Sequence, residues 1–338
     1  MKKLTALFLA LAMSLSLVAC SNGGGGSATP TPQNSGAPNE PDKKLKAALV
    51  LDGPIDDGGW NADCYNGLVR CQDELGYEIT VSENVAQSDY VSAAREYAAA
   101  GYDLVILPGN QFQDAAIEIC EEFPDVHFAG INFSFTADNV SAMAFNDLQS
   151  GFMAGAFAAL MSETGAVGYI GGTEIQSIVD AEAGFMQGAK YINPDITTVS
   201  SMTGSWSDVA KGKELALAQI STSNVDVIFG FASACNSGMI AACKEQGRKY
   251  IAEPLDILDS EPGVIIGSVL EKNSELIVII AEMVALEVTE GQSIVGDLSN
   301  GILAYGAFGD EVSDEVRSRL DEVIAGLSDG SIKVEPAA

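Results

Sequence analysis

Residues 45–68 read LKAALVLDGPIDDGGWNADCYNGL. The first six residues are nearly all apolar, as in a strand buried on both faces of a parallel sheet. A glycine-rich turn with three carboxylates (Asp52, Asp56 and Asp57) and an indole (Trp60) follows, and a helix-like run begins near Asn61. This is a strand–turn–helix unit, and in such units ligands gather at the carboxyl end of the strand. A metal site, a catalytic acid and a ligand clamp would all suit a turn of this composition.

Outward from this unit the same alternation repeats. Strand-like runs lie at 45–51, 77–82, 102–108, 126–131, 166–171, 197–202, 225–231 and 263–270. Helix-like runs lie near 61–75, 88–100, 112–123, 148–162, 177–191, 207–222, 234–246 and 273–289. Strict alternation of this kind predicts parallel sheets covered by helices on both faces. The region from Leu45 onward is too long for one ordinary core, so the expectation is an α/β chain of two doubly wound lobes. A ligand cleft would lie where their strand ends face each other. The final segment, 301–334, adds one strand and a helix for which Ser313 is a fitting N-cap.

The chain begins MKKLTALFLALAMSLSLVAC. A basic start and an apolar run too short to span a bilayer predict a signal peptide over 1–19. Leu17-Val18-Ala19-Cys20 is similar to the lipobox of bacterial lipoproteins, which predicts acylation at Cys20 (palmitate included). Residues 21–44 are rich in Gly, Pro, Ser and Asn and read as a flexible tether with a reach of about 25–30 Å. The expected place is therefore the extracytoplasmic face of a cell membrane.

The formal charge is −30, and loss of Lys2 and Lys3 with the signal takes it to −32. Nucleic acid and anionic headgroups need basic patches, so neither is an expected partner. Of the six cysteines, none forms a C-x-x-C pair. Cys64 and Cys71, like Cys235 and Cys243, are two helical turns apart, about 10–12 Å, which is beyond disulfide reach. Together with Cys120 they read as small buried apolar residues.

Catalytic and metal motifs were weighed against the turn. An EF-hand would need oxygen ligands at Gly53 and Ile55 and a glutamate at Cys64. Calcium-dependent nucleoside hydrolases carry D-x-D-x-x-x-D-D; Asp52, Asp56 and Asp57 match, but the first aspartate is Val50. The single histidine, His127, sits inside the apolar run VHFAGI and reads as a satisfied core or sheet-edge residue. No H-E-x-x-H or P-loop motif occurs. These observations favour binding without catalysis: no catalytic residue, metal or cofactor is expected.

Trp60 and Trp206 are the two tryptophans of the chain, and each stands in a Gly/Ser turn after a strand, one in each predicted lobe. Two indoles across a cleft would stack on a planar ring. Asp57 and Asn61 could then read the ring's edge. Asn110 and Phe231 also follow strands and are expected to line the cleft.

These residues resemble the basic membrane lipoprotein family, substrate-binding lipoproteins of ABC transporters whose characterised members bind purine nucleosides. DGPIDDGGWN is similar to the family's D-x-G-x-x-D-D-x-x-F-N, with Trp60 at the stacking aromatic. GGTEIQSIVDAEAGFMQG keeps Gly171, Gly172, Ile175, Gly184, Phe185 and Gly188 of the second motif, and TGSWSDVAKGKELA matches a third with Trp206 at its aromatic position. The resemblance runs from Leu45 to the C-terminus. It thins at Asp256, which matches an aspartate that contacts ribose, and at Glu271, which stands where the family has a lysine.

The resemblance implies a type I periplasmic-binding fold. Lobe 1 is expected over 45–145 and 259–289, and lobe 2 over 146–258 and 290–338. It implies a monomer that closes on a purine nucleoside or nucleobase and delivers it to an ABC permease and ATPase. Asp57, Trp60, Asn61, Asn110, Trp206, Phe231 and Asp256 would be the ligand-binding residues. A binding protein for another small polar solute, such as a sugar or an amide, is the alternative, followed by the calcium-dependent nucleoside hydrolase.

Overall fold

The computed structural model describes residues 44–288 and 290–337. The expected signal peptide, the acylated Cys20 and the tether up to residue 43 lie outside the described residues.

The chain first builds a β-α lobe: β1 (Lys46–Val50), α1 (Trp60–Leu75), β2 (Glu78–Ser82), α2 (Tyr90–Ala99), β3 (Leu104–Pro108), α3 (Gln113–Ile119), β4 (His127–Ile131) and β5 (Val140–Phe145). It then builds a second: α4 (Asp147–Met161), β6 (Ala166–Gly171), α5 (Gln176–Ile192), β7 (Thr197–Met202), α6 (Val209–Ser223), β8 (Val227–Phe231), α7 (Asn236–Gln246), β9 (Lys249–Ala252) and β10 (Ile265–Glu271). The remainder is shared between the lobes: α8 (Asn273–Ala285), β11 (Ser293–Gly296), β12 (Leu303–Tyr305) and α9 (Asp314–Ser328).

The first sheet has the order β11-β5-β4-β3-β1-β2 and is parallel throughout. The second has the order β12-β10-β9-β8-β6-β7, parallel except for the β10–β12 pair. This is the two-lobe α/β architecture that the alternation predicts.

In β1, Ala47 and Leu49 face the core under α1 and α8, while Val50 faces the core under α2 and α3. Alternate residues are thus buried on opposite faces, which is why the strand after Lys46 is wholly apolar. Truncating fully buried Leu49 to alanine would cost about 2–5 kcal/mol. In the second lobe, α4 and α5 pack backbone to backbone. A β-carbon on Gly155 would lie 2.0 Å from the Phe185 carbonyl oxygen, and one on Gly184 would lie 2.2 Å from that of Leu148. Ser313 caps α9, its hydroxyl accepting from the Val316 amide at 3.3 Å.

The chain passes between the sheets at 145–147, 271–273 and 296–303. The crossings are bonded to one another: the Asn146 amide donates to the Gly296 carbonyl at 2.9 Å, and that of Lys272 to Ile302 at 3.2 Å. This path differs from the expected division at 259 and 290. Helix α8 packs with α1 in the first lobe, but β10 pairs with β9 in the second. Likewise β11 extends the first sheet, so the third crossing falls after 296. A parallel sheet accepts β10 beside β9 and lets the following helix cross alone.

Candidate ligand-binding cleft

A cleft open to solvent lies where the carboxyl ends of the two sets of strands meet. The first lobe contributes Asp52 after β1, Trp60 and Asn61 at the start of α1, Asn110 and Gln111 after β3, and Asn132 after β4. The second contributes Ile175 and Ser177 at the start of α5, Trp206 after β7, Phe231 and Ser233 at the end of β8, and Glu253 and Pro254 after β9. Asp147 and Glu271 come from the first two crossings.

Trp60 is held from both ends. Its indole Nε1 donates to the Pro108 carbonyl at 2.9 Å, and its ring meets Phe145 edge-on at 6.3 Å. Below it, the Asp57 carboxylate accepts from the amides of Gly59, Asn61 and Ala62 at 2.9–3.1 Å and from Asn61 Nδ2 at 3.1 Å. It therefore caps α1, satisfying amides that have no partner within the helix. This corrects the expectation for Asp57: it does not line the cleft, because its oxygens are occupied by the helix start. The same bonds remove it from the set of three aspartates that a calcium site would use.

Trp206 is positioned from the other lobe. Gly204 donates to the Gly172 carbonyl at 3.0 Å, and the Thr203 hydroxyl donates to the Ser205 carbonyl at 2.6 Å. Asp208 then caps α6, accepting from the Lys211 amide at 2.9 Å. The indole lies directly on Gly172. Phe231 is buried and stacks near-parallel on Phe229 at 5.8 Å, so it belongs to the core as well as to the cleft wall. Asn110 is exposed in the short turn after β3.

Asp256 does not line the cleft either. Its carboxylate accepts from the Ala307 amide at 2.7 Å and the Leu258 amide at 3.3 Å, pinning the loop after β12 to the loop after β9. The neighbouring lysine of the thinned motif, Lys272, turns its ammonium to the Gly301 carbonyl at 2.9 Å.

Asp147 and Glu253 were not among the expected site residues, and Glu271 was marked only as standing where the family has a lysine. Glu253 is 8% exposed and Glu271 1%. Glu253 Oε1 accepts from Asn236 Nδ2 at 3.0 Å. Neither Glu271 oxygen has a hydrogen-bond partner among the described residues. Nearby Ser150 donates its hydroxyl to the Asp147 carbonyl at 3.1 Å. Burial raises the Glu271 carboxyl to about 7, an effect that Ser150 only partly offsets. Burial, and next the charge of Glu271, hold Asp147 and Glu253 well above the usual carboxylate range. Asp147 keeps part of its surface open to the cleft, though protein surrounds its carboxyl closely. Burial also raises Asp52, and a hydrogen bond from Gln111 Nε2 at 2.9 Å opposes that shift. Among the described residues lining the cleft, none is Lys or Arg.

Two other lining residues, Asn132 and Ser233, hold left-handed backbone at φ 61° and 51°. Such conformations are uncommon outside glycine and cluster at functional sites. The rule that could have found Asn132, Asp147, Glu253 and Glu271 is positional: each ends a strand or follows one within two residues.

The remaining candidates lie elsewhere. His127 opens β4, at the end of the sheet away from the cleft. It is buried, shares a 2.8 Å hydrogen bond with the Ser141 hydroxyl, and is lowered to about 4 by burial. Cys64, Cys71, Cys120, Cys235 and Cys243 are all buried free thiols, as their spacing suggests.

The fold and sequence have clear relatives. Solute-binding protein of an Aeropyrum pernix K1 ABC transporter system superposes with a TM-score of 0.78 at 20% identity, covering 87% of this chain and 94% of that one. A transcriptional activator of the comK gene from Bacillus halodurans superposes with a TM-score of 0.76 at 26% identity, covering 86% and 100%. A purine-binding protein of Brucella abortus (strain 2308) is 26% identical over 294 residues, 86% of this chain and 83% of that protein. Basic membrane protein A of Borreliella burgdorferi is 33% identical over 207 residues, 60% of each chain. Residues 44–332 match the Bmp family, described as ABC transporter substrate-binding protein, PnrA-like, and the chain belongs to that family.

Proposed function

We propose that this protein is the lipid-anchored, extracytoplasmic receptor of an ABC importer, and that it captures a purine nucleoside or nucleobase between Trp60 and Trp206. The observation that carries this reading is the placement of one indole from each lobe on the same cleft. A flat ring between them gains dispersion and π contact from both lobes, so capture and closure become one step. Asn61, with its amide oxygen free of the Asp57 contact, Asn110 and Phe231 complete the ring's surroundings. The closed form then docks, as a monomer held by Cys20, on a permease and its ATPase. The purine-binding name of the Brucella relative supports the ring class.

Asp57 and Asp256 hold loops in this reading and leave recognition to the lining side chains. The test is a thermal-shift and calorimetry panel on the full chain stripped of co-purified ligand, with adenosine, guanosine, inosine, cytidine, adenine, hypoxanthine, ribose and simple sugars. Purine-selective binding that is lost in both Trp60→Ala and Trp206→Ala is expected. Binding of sugars alone would replace the purine reading with the other-solute one.

The name of the Bacillus halodurans relative, a transcriptional activator, favours a second reading in which ligand capture is reported instead of imported. Uptake of labelled ligand by cells with and without the gene separates the two.

A further inference from the structure

We infer that the ligand of this cleft carries a positive charge: a flat, nitrogen-rich ring bearing an amidinium or ammonium group that seats on Glu271, with Asp147 and Glu253 close around it. This deepens the purine reading and rests on it for the ring.

The inference starts from an unmet need. Glu271 lines the cleft at 1% exposure, and neither of its oxygens accepts a hydrogen bond among the described residues. A carboxylate that buried is shut off from bulk solvent, which is costly unless something brings a donor. The nearby charged and amide donors are engaged elsewhere, Asn236 by Glu253 and the Lys272 ammonium by the Gly301 carbonyl, and the Ser150 hydroxyl, which donates to the Asp147 carbonyl, eases Glu271 only in part. The cleft also concentrates one sign of charge. Asp147, Glu253 and Glu271 share it with Asp52, and among the described residues no Lys or Arg lines it.

An amidinium answers both features, because it presents two parallel N–H donors and a positive charge to a single carboxylate. A neutral oxo-purine supplies donors without the charge. A nucleoside phosphate supplies charge of the wrong sign. Asp147 and Glu271 also sit at two of the three crossings between the lobes. A ligand cation there would let both carboxyls ionise together at the place where the lobes must hinge. The net charge of −30 would steer such a ligand toward the protein.

The test is calorimetry at pH 7.5 on the full chain stripped of co-purified ligand, with matched probes. Adenosine is compared with 1-methyladenosine, the same nucleoside made a cation by one methyl group, which keeps the charge and the exocyclic donor and gives up the ring donor that benzamidine retains. Inosine, adenosine monophosphate and benzamidine complete the set. We expect 1-methyladenosine to bind about tenfold or more tighter than adenosine, adenosine monophosphate to bind more weakly than either, and Glu271→Gln to erase the preference. Equal or tighter binding of adenosine and inosine overturns the inference while leaving the purine reading standing. Binding of benzamidine with silence from every purine keeps the cation and removes the purine. Silence from both cationic probes, in wild-type protein with a cooperative melt, overturns the inference without recourse to any variant.

Discussion

The Trp206 ring lies so close to Gly172 that a β-carbon there would sit 2.1 Å from the indole Cζ3 and 2.5 Å from Cε3. The glycine is therefore the seat of the cleft's second indole, and the backbone of the β6–α5 turn is its floor. Gly172→Ala must push the ring away from its place in the cleft wall. Stacking on an aromatic side chain is worth about 1–3 kcal/mol per base. The expected outcome is an affinity loss of roughly 5- to 150-fold for the flat-ring ligand with a melting temperature close to wild type, read by calorimetry and thermal shift. Unchanged affinity would mean that Trp206 does not contact the ligand.

Asp57 gives a prediction of the opposite kind. Its carboxylate serves the first amides of α1 and none of the cleft surface. Asp57→Ala should lower stability by about 1–3 kcal/mol, as loss of a charged helix cap does. The ligand-induced rise in melting temperature should largely persist. If the unliganded melting temperature stays at the wild-type value and the ligand response disappears, Asp57 touches the ligand after all.

These two residues also show what could be read in advance. An indole in a polar glycine turn has no core to enter, so its presence at a strand end already marks a surface with a purpose. An aspartate in the same turn is ambiguous, because a ligand edge and a helix N-terminus both want an acceptor. Only the positions of the Gly59, Asn61 and Ala62 amides decide between them.

The fold was legible for the same reason, and failed to be where the signal is short. Strands β3 and β8 are uninterrupted apolar runs, and β1 is one after Lys46. Strand β9 is four residues, and β5 passes through Asn146 directly into α4. Turns precede both, at Gly247 and at 138–139, so it is the brevity of β9 and the missing break between β5 and α4 that hid them. The acids at the ends of β9 and β10 were hidden by numbers: in a chain with 47 Asp and Glu, a glutamate after a strand reads as one more solvated acid. Burial set Glu253 and Glu271 apart, and burial depends on which strand lies beside which.

Helices α4 and α5 offer a test of the second lobe that does not involve the cleft. A β-carbon at Gly155 would meet the Phe185 carbonyl oxygen at 2.0 Å, and Gly151 and Gly188 are hemmed in as closely by Ala181 and Phe152. Backbone cannot rotate aside as a side chain does, so the helices must separate. Although alanine has the better helix propensity, Gly155→Ala should destabilise by about 3 kcal/mol, the upper part of the range for overpacking. Chemical denaturation measures it. A stabilised variant would mean that the helix pair is less closely packed than described.

The buried carboxylates make stability depend on pH, and Glu271 isolates the effect. Its carboxyl is raised from 4.5 to about 7 by burial. Below pH 4.5 it is protonated in the folded and unfolded chains alike, and this contribution to stability is fully present. Between 4.5 and about 7 the unfolded chain ionises while the folded chain resists, so stability falls as pH rises. Above that window the penalty is constant, on the order of 3 kcal/mol. His127 acts in the opposite direction: lowered from 6.5 to about 4, it costs stability as pH falls through that range. Comparing wild type with Glu271→Gln cancels the histidine, because both proteins carry it. The variant should melt higher than wild type at pH 8, and the gap should close as pH falls to 4.5. The same substitution should weaken binding of a cationic ligand, so stability and affinity move in opposite directions. A gap that does not vary with pH would show that the Glu271 carboxyl does not titrate in this window.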